Sequence, residues 1–192
     1  MSFEQGWQNI ETRIKSKWFI PHTGLGYFQL LFNEYMKGGN MIIAIGSDHG
    51  GYHLKNVIIQ FLKTLGHEAH DLGAHSDEPS DYPDSALAVS QKVLLKKAER
   101  GILICGSGVG TCVAANKFPG IRAAICHDSF SAHQGVEDDN INILCLGARV
   151  IGSELAKDIV KIWLAAEFSG AERHVRRLEK VEQIENEFIR KS

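Results

Sequence analysis

GILICGSGVGTCVAANKFPGIRAA, Gly101–Ala124, decides the fold. Its first segment, Gly101 to Cys105, is an unbroken apolar run that stops at a cysteine. Gly106, Gly108 and Gly110 follow, and then a segment with helical periodicity. A short apolar run feeding a glycine-rich turn and a helix reads as a strand buried on both faces in a β–α unit. The turn has three candidate uses: a dinucleotide cradle, a nucleotide-phosphate loop, or a loop built around a reactive thiol.

Working outward, the same rhythm repeats on both sides. MIIAIGS (Met41–Ser47) is a buried strand, and HLKNVIIQFLKTLG after it places Leu54, Val57, Ile58, Phe61, Leu62 and Leu65 on one helical face, closed by Gly66. HEAHDLG is a weaker second strand, followed by the polar loop AHSDEPSDYPD and a helix from Ser85 to Lys97. GILIC is the third strand, with GVGTCVAANKF as its helix. IRAAICH is the fourth, with a helix through Phe130 to Val136, and INILCLG is the fifth, followed by SELAKDIVKIWLAAEF. Strands alternating with helices imply an α/β fold, a three-layer α/β/α Rossmann-like arrangement around a five-stranded parallel sheet. Ligands in such sheets bind beyond the carboxyl ends of the strands. That rule selects Asp48 and His49, Asp81 and Tyr82, Cys105 to Gly110, His127 and Asp128, and Arg149 as residues along one rim.

Two segments flank this unit, giving the division 1–40 and 41–192. The tail AERHVRRLEKVEQIENEFIRK is a charged helix with a narrow apolar stripe, Val175, Leu178, Val181 and Ile184, suited to packing on a neighbour. Residues 1–40 lack the strand–helix rhythm and end in Lys37-Gly38-Gly39-Asn40 before Met41. Codons for Lys-Gly-Gly can spell a purine-rich ribosome-binding sequence, so Met41 is expected to be the natural start and residues 1–40 a translated leader. An amphipathic arm is the alternative.

Composition limits the partners. At 192 residues, 44% apolar and 23% charged, the chain can bury a core of good size, and a net charge of -2 offers no global attraction to nucleic acid or an anionic membrane. Any anion site must therefore be local. No apolar run approaches the roughly 20 residues that span a bilayer, and the N-terminus lacks the pattern of a secretory signal, which makes a cytoplasmic protein the expectation. Cys105, Cys112, Cys126 and Cys145 lack the paired spacing of a zinc site and are expected as reduced thiols, with no metal and no cofactor.

The loop itself narrows the three uses. Counted from Gly106 it reads Gly-Ser-Gly-Val-Gly-Thr, so the third glycine of a dinucleotide fingerprint is out of step, and no acidic residue closes the next strand. No Gly-Lys-Ser/Thr is present either. Glycines that let several N–H groups turn inward at a helix start instead make a place for developing negative charge. A cysteine at its mouth is favoured as thiolate, which suits either a nucleophile or a proton-abstracting base. The plain alternative is a strand-end cysteine that fills space.

SDHGG (Ser47–Gly51), DYPD (Asp81–Asp84), GILICGSGVG, ANKFPGIRAA, NILCLGARVIG (Asn142–Gly152) and the arginines after Ala171 together resemble the ribose-5-phosphate isomerase type B family, which includes galactose-6-phosphate and tetrose-phosphate isomerases. The resemblance implies aldose–ketose isomerisation of a sugar phosphate through a cis-enediolate, without metal or cofactor. It implies Cys105 as base, Ser107 and the backbone of Gly106, Gly108 and Gly110 as the anion hole, and Asp48 and Tyr82 as contacts to the sugar. His49, Arg149, Arg173 and Arg177 match phosphate contacts, with His174 assisting. Arg173 and Arg177, four apart on a helix, share a face, and the family's equivalents reach into an adjacent subunit. A homodimer or homotetramer with an exchanged C-terminal helix follows.

One departure stands out. The family's ring-opening histidine lies a few residues before the fifth strand, and this chain has Asp138 there, with Asp139 after it. Asp138 could move the ring-opening proton itself, His127 or His133 could substitute, or the substrate needs no ring opening, as with a tetrose 4-phosphate. Ribose 5-phosphate is the leading expectation and a tetrose 4-phosphate the next. A sugar-phosphate-binding protein that kept the fold without the reaction is the alternative from another class.

Overall fold

The computed structural model describes residues 39–189, with side chains to residue 188, and the expectations for residues 1–38 lie outside the described residues. Five strands, β1 (Ile42–Ser47), β2 (Glu68–Asp71), β3 (Arg100–Cys105), β4 (Ala123–Ile125) and β5 (Ile143–Gly147), form one parallel sheet in the order β2-β1-β3-β5-β4. The helices are α1 (Tyr52–Thr64), α2 (Tyr82–Leu94), α3 (Val109–Ala115), α4 (Ser129–Asp139), α5 (Ser153–Ala165) and α6 (Glu172–Ile189). Among the described residues this is the three-layer α/β/α fold expected.

Strand alternation sorts the helices between the two faces. Ile43, Ile45, Ile102, Ile104, Leu144 and Leu146 face α1, α4 and α5, where fully buried Trp163 is the largest side chain. Ala44, Leu103, Ile143 and Cys145 face α2 and α3. The second face is shallower because glycines let α2 approach: a Cβ on Gly101 would lie 2.7 Å from Val89 Cγ1.

Local chemistry moves several boundaries from those expected. α2 starts at Tyr82 rather than Ser85, with Pro83 in its first turn, where the missing N–H costs nothing. β4 keeps three residues of IRAAICH because it is an edge strand paired only to β5, and beyond it Cys126 N–H still reaches Cys145 O at 3.3 Å. α4 runs to Asp139, past the expected Val136. Asp128 Oδ1 caps its start by accepting from Ser131 N–H at 2.7 Å, and Asn140, at φ 50°, ends it in the left-handed region that asparagine tolerates.

This last extension matters for position. An 11-residue helix that leaves the carboxyl end of β4 covers about 16 Å, so α4 delivers Asp138 and Asp139 to the opposite rim of the sheet, where β5 begins. There Ser169 N–H donates to Glu137 O at 3.0 Å, and Arg100 donates to Trp163 O and Ala166 O, satisfying carbonyls at the end of α5. α6 departs from that corner. Its Val181 and Ile184 are exposed, so the second half of the apolar stripe seen in the sequence faces outward. No helix among the described residues is long and apolar enough to cross a membrane.

Candidate active site

The chain leaves β1 in one direction to β2 and in the other to β3, which opens a crevice between the carboxyl ends of β1 and β3. Asp48 and the turn His49–Gly51 form one wall, and Cys105 to Gly110 the other. The walls are close: a Cβ on Gly50 would lie 3.3 Å from Asp48 Oδ1 and 3.4 Å from Gly106 N.

Cys105 ends β3 with 4% of its surface exposed. Gly108 holds φ at 82°, a left-handed conformation, and this turns its N–H back to the Cys105 sulfur at 3.1 Å. The fully buried Thr111 hydroxyl lies 3.6 Å from the same sulfur and 3.1 Å from Gly108 O, and its one proton can go to either. Val109 N–H donates to Ser107 Oγ at 3.3 Å. That leaves the amides of Gly106, Ser107 and Gly110, which have no acceptor among the described residues, as the donors an oxyanion can meet.

The other residues of this rim close the site. Asp48 caps the turn after β1: its Oδ1 accepts from Gly51 N–H at 3.0 Å. His49 is held through Nδ1, 3.1 Å from Ser80 O and 3.2 Å from Ser80 N, and its own N–H donates to Ser80 Oγ at 2.9 Å, so Nε2 is the nitrogen for a ligand. The Tyr82 ring lies over the loop, where a Cβ on Gly110 would meet it at 3.0 Å. Arg149 lies along Gly106, 3.6 Å from where a Cβ would stand there, and its N–H donates to Gly106 O at 3.0 Å. His127 Nε2 accepts from Gly147 N–H at 2.9 Å, which anchors the ring on β5.

Ser80 and Thr111 were not singled out in the sequence. Nothing in their spacing marks them, since each acts through a loop or helix turn that only the fold brings to His49 or Cys105. A second thiol is also notable. The Cys112 thiol is pushed down to about 7, chiefly by a hydrogen bond from Cys145, whereas burial pushes Cys126 up to about 11. Burial also raises Cys145.

The remaining residues form a second cluster at the opposite rim. Asp138 Oδ1 lies 3.2 Å from His174 Nδ1, and Asp138 Oδ2 accepts from Gln134 Nε2 at 2.7 Å. His174, 2% exposed, has Ser169 Oγ 2.7 Å from Nδ1, and its Nε2 accepts from Arg173 Nε at 2.8 Å. Asp139, Arg173 and Arg177 are exposed, and His133 pairs with Glu137 at 3.3 Å. α6 stays on this side of the sheet, for Glu185 Oε2 accepts from Gly120 N–H just before β4, at 2.9 Å. Within one chain, then, the fold does not bring Asp138, Asp139, Arg173, His174 or Arg177 to the Cys105 rim.

Similarity to known proteins identifies the family. The model of a family described as Ribose/Galactose Isomerase matches residues 43–181. Ribose-5-phosphate isomerase B of Escherichia coli is 46% identical over 143 residues, 74% of this chain and 95% of that protein. D-erythrulose-4-phosphate isomerase of Pectobacterium atrosepticum is 46% identical over 132 residues, 67% of this chain and 85% of that one. The solved ribose-5-phosphate isomerase B of Clostridium thermocellum superposes with a TM-score of 0.76 at 51% identity, covering 77% of this chain and 99% of that structure. The chain belongs to the ribose/galactose isomerase family and is an aldose–ketose isomerase of sugar phosphates, of the ribose-5-phosphate isomerase B type.

Proposed function

We propose that the protein interconverts ribose 5-phosphate and ribulose 5-phosphate through a cis-enediolate, with Cys105 as the base. The observation that carries this reading is the convergence of Gly108 N–H and the Thr111 hydroxyl on the Cys105 sulfur, beside a loop whose other amides are open. Gly108 N–H and the Thr111 hydroxyl fix the sulfur beside those amides, where it can take a proton from a bound sugar. Cys105 removes the proton beside the carbonyl and returns it to the neighbouring carbon, while the Gly106, Ser107 and Gly110 amides, with the Ser107 hydroxyl, hold the oxyanion. One carbon is reduced as its neighbour is oxidised, so the proton transfer needs no cofactor. Asp48 and Tyr82 meet the sugar hydroxyls, and His49 and Arg149 meet the phosphate from the same chain.

The tail arginines complete the site from a second copy. Arg173 and Arg177 stand on the far rim of their own sheet, and α6 carries exposed apolar side chains, Val181 and Ile184, that a neighbour would bury. A homodimer with α6 exchanged puts paired guanidinium groups on the phosphate dianion. Four free thiols fit a reducing, cytoplasmic setting.

A tetrose 4-phosphate is the second reading, and one observation favours it. Asp138 occupies the ring-opener's position, yet both of its carboxylate oxygens already face donors. A four-carbon aldose 4-phosphate cannot close a furanose and needs no ring-opening group. A coupled assay with both sugars decides: turnover of erythrose 4-phosphate without turnover of ribose 5-phosphate would replace ribose as substrate. Replacing Cys105 by Ala should abolish turnover while ligand binding persists, and retained turnover would remove the cysteine-base mechanism.

A further inference from the structure

We infer that Asp138 is a positioning residue whose carboxylate fixes the His174 ring so that the ring holds Arg173 in place for the phosphate. This rests on the reading above that Arg173 and Arg177 meet the phosphate of a sugar bound at the Cys105 rim of a second copy. It assigns Asp138 a different task from ring opening.

The hydrogen bonds run in one consistent direction. Arg173 Nε–H can only donate, so His174 Nε2, 2.8 Å away, must be the unprotonated nitrogen. The ring proton then sits on Nδ1 and is donated to Ser169 Oγ at 2.7 Å, with the Asp138 carboxylate beside it as a charged contact, Oδ1 at 3.2 Å. A carboxylate beside Nδ1 holds that tautomer, in the way a metal-bound histidine is oriented by its outer partner. Gln134 Nε2 in turn fixes the second Asp138 oxygen at 2.7 Å. With Nε occupied, Arg173 presents its two terminal nitrogens as the edge that grips an oxyanion. The chain of contacts joins the last turn of α4 to the first turn of α6 through a ring with 2% of its surface exposed. A carboxylate with one oxygen accepting from Gln134 and the other beside the Nδ1 proton is also poorly placed to donate the proton that ring opening needs. One substitution thus accounts for two features of the corner.

The test separates positioning from ring opening. Asp138→Ala and Asp138→Asn are assayed on ribose 5-phosphate and erythrose 4-phosphate. Asn keeps an oxygen dipole beside His174 Nδ1 but no acid. Positioning predicts that Asp138→Ala raises KM about tenfold for both sugars, the loss of one short-range charged contact, while kcat stays within about threefold. Asp138→Asn should recover most of that affinity. A fall in kcat on ribose 5-phosphate alone, in both variants, would make Asp138 the ring-opening group and overturn the proposal. If the wild-type protein turns over neither sugar, both proposed substrates fail, and calorimetric titration with ribose 5-phosphate decides this one: weaker binding in Asp138→Ala than in Asp138→Asn supports it, and equal binding overturns it. Nitrogen NMR of the His174 ring in the wild-type protein needs no variant to fold. A proton on Nδ1 is expected, and a proton on Nε2 in its place would end the idea.

Discussion

The two rims of this sheet hold their polar groups by different means. At the carboxyl ends of β1 and β3 the backbone does the holding: Gly108 N–H fixes the Cys105 sulfur, Gly51 N–H fixes Asp48, and Ser80 fixes His49. At the other rim, Asp138, His174 and Arg173 are held by one another through side chains, and the arginines that follow on α6 are exposed. Backbone donors cannot be rearranged without refolding the loop, which suits a centre where charge develops at fixed atoms. Side-chain networks on a helix that leaves the domain can instead be completed by a neighbour. On the proposed reading, the first rim is the chemical half of the site and the second the binding half.

The largest effect expected from this division is on Cys105. Cys105→Ala should lower kcat by about a thousandfold, the scale of a lost general base, with KM little changed. A loss confined to KM would erase the distinction between the halves. Arg177→Ala should do the reverse, raising KM about ten- to a hundredfold through a lost charge-assisted bond to phosphate. Co-expressing the two variants then sharpens the comparison. If the halves come from different copies, each mixed dimer has one intact site, and random pairing restores about a quarter of wild-type activity. No recovery would mean that one chain supplies both halves.

Smaller effects probe the loop's surroundings. Thr111→Val keeps the shape of a fully buried residue and removes the hydroxyl 3.6 Å from the sulfur, and it should cost about fivefold in kcat, the worth of one modest hydrogen bond. An unchanged kcat would show that this proton goes to Gly108 O. The smallest effect concerns labelling. The Cys112 thiol is pushed down to about 7 by its bond from Cys145, so its alkylation by iodoacetamide should rise through pH 7 and level off above. Cys126, pushed up to about 11, should stay slow at pH 8. A Cys112 rate still climbing steeply through pH 9 would contradict that assignment.

Much of the fold was legible because its signals are local. An apolar run ending at Cys105, glycines, and a helical period define a β–α unit without reference to anything distant, and the repeat of that unit implies the parallel sheet and the rim. Boundaries moved where a single residue intervened, as at Pro83, Asp128 and Asn140. The order of strands was not legible: β5 enters between β3 and β4, and nothing in INILCLG distinguishes an inner strand from an edge one. The partners Ser80, Thr111 and Ser169 were equally silent, since each is an unremarkable hydroxyl until the chain folds it against His49, Cys105 or His174.

Sequence alone determined the β–α order, the glycine loop behind Cys105 and the resemblance carried by SDHGG and GILICGSGVG, because those depend on residue type and short spacing. Only the tertiary structure decided where Asp138 stands. Three further residues of α4 beyond Val136 make it part of a helix running away from the Cys105 rim, and burial of His174 beneath it turns an apparent vacancy in the family's pattern into one end of a chain of polar contacts. The physical reason is that helix length and direction convert a sequence separation into a distance across the sheet, and no local spacing carries that distance.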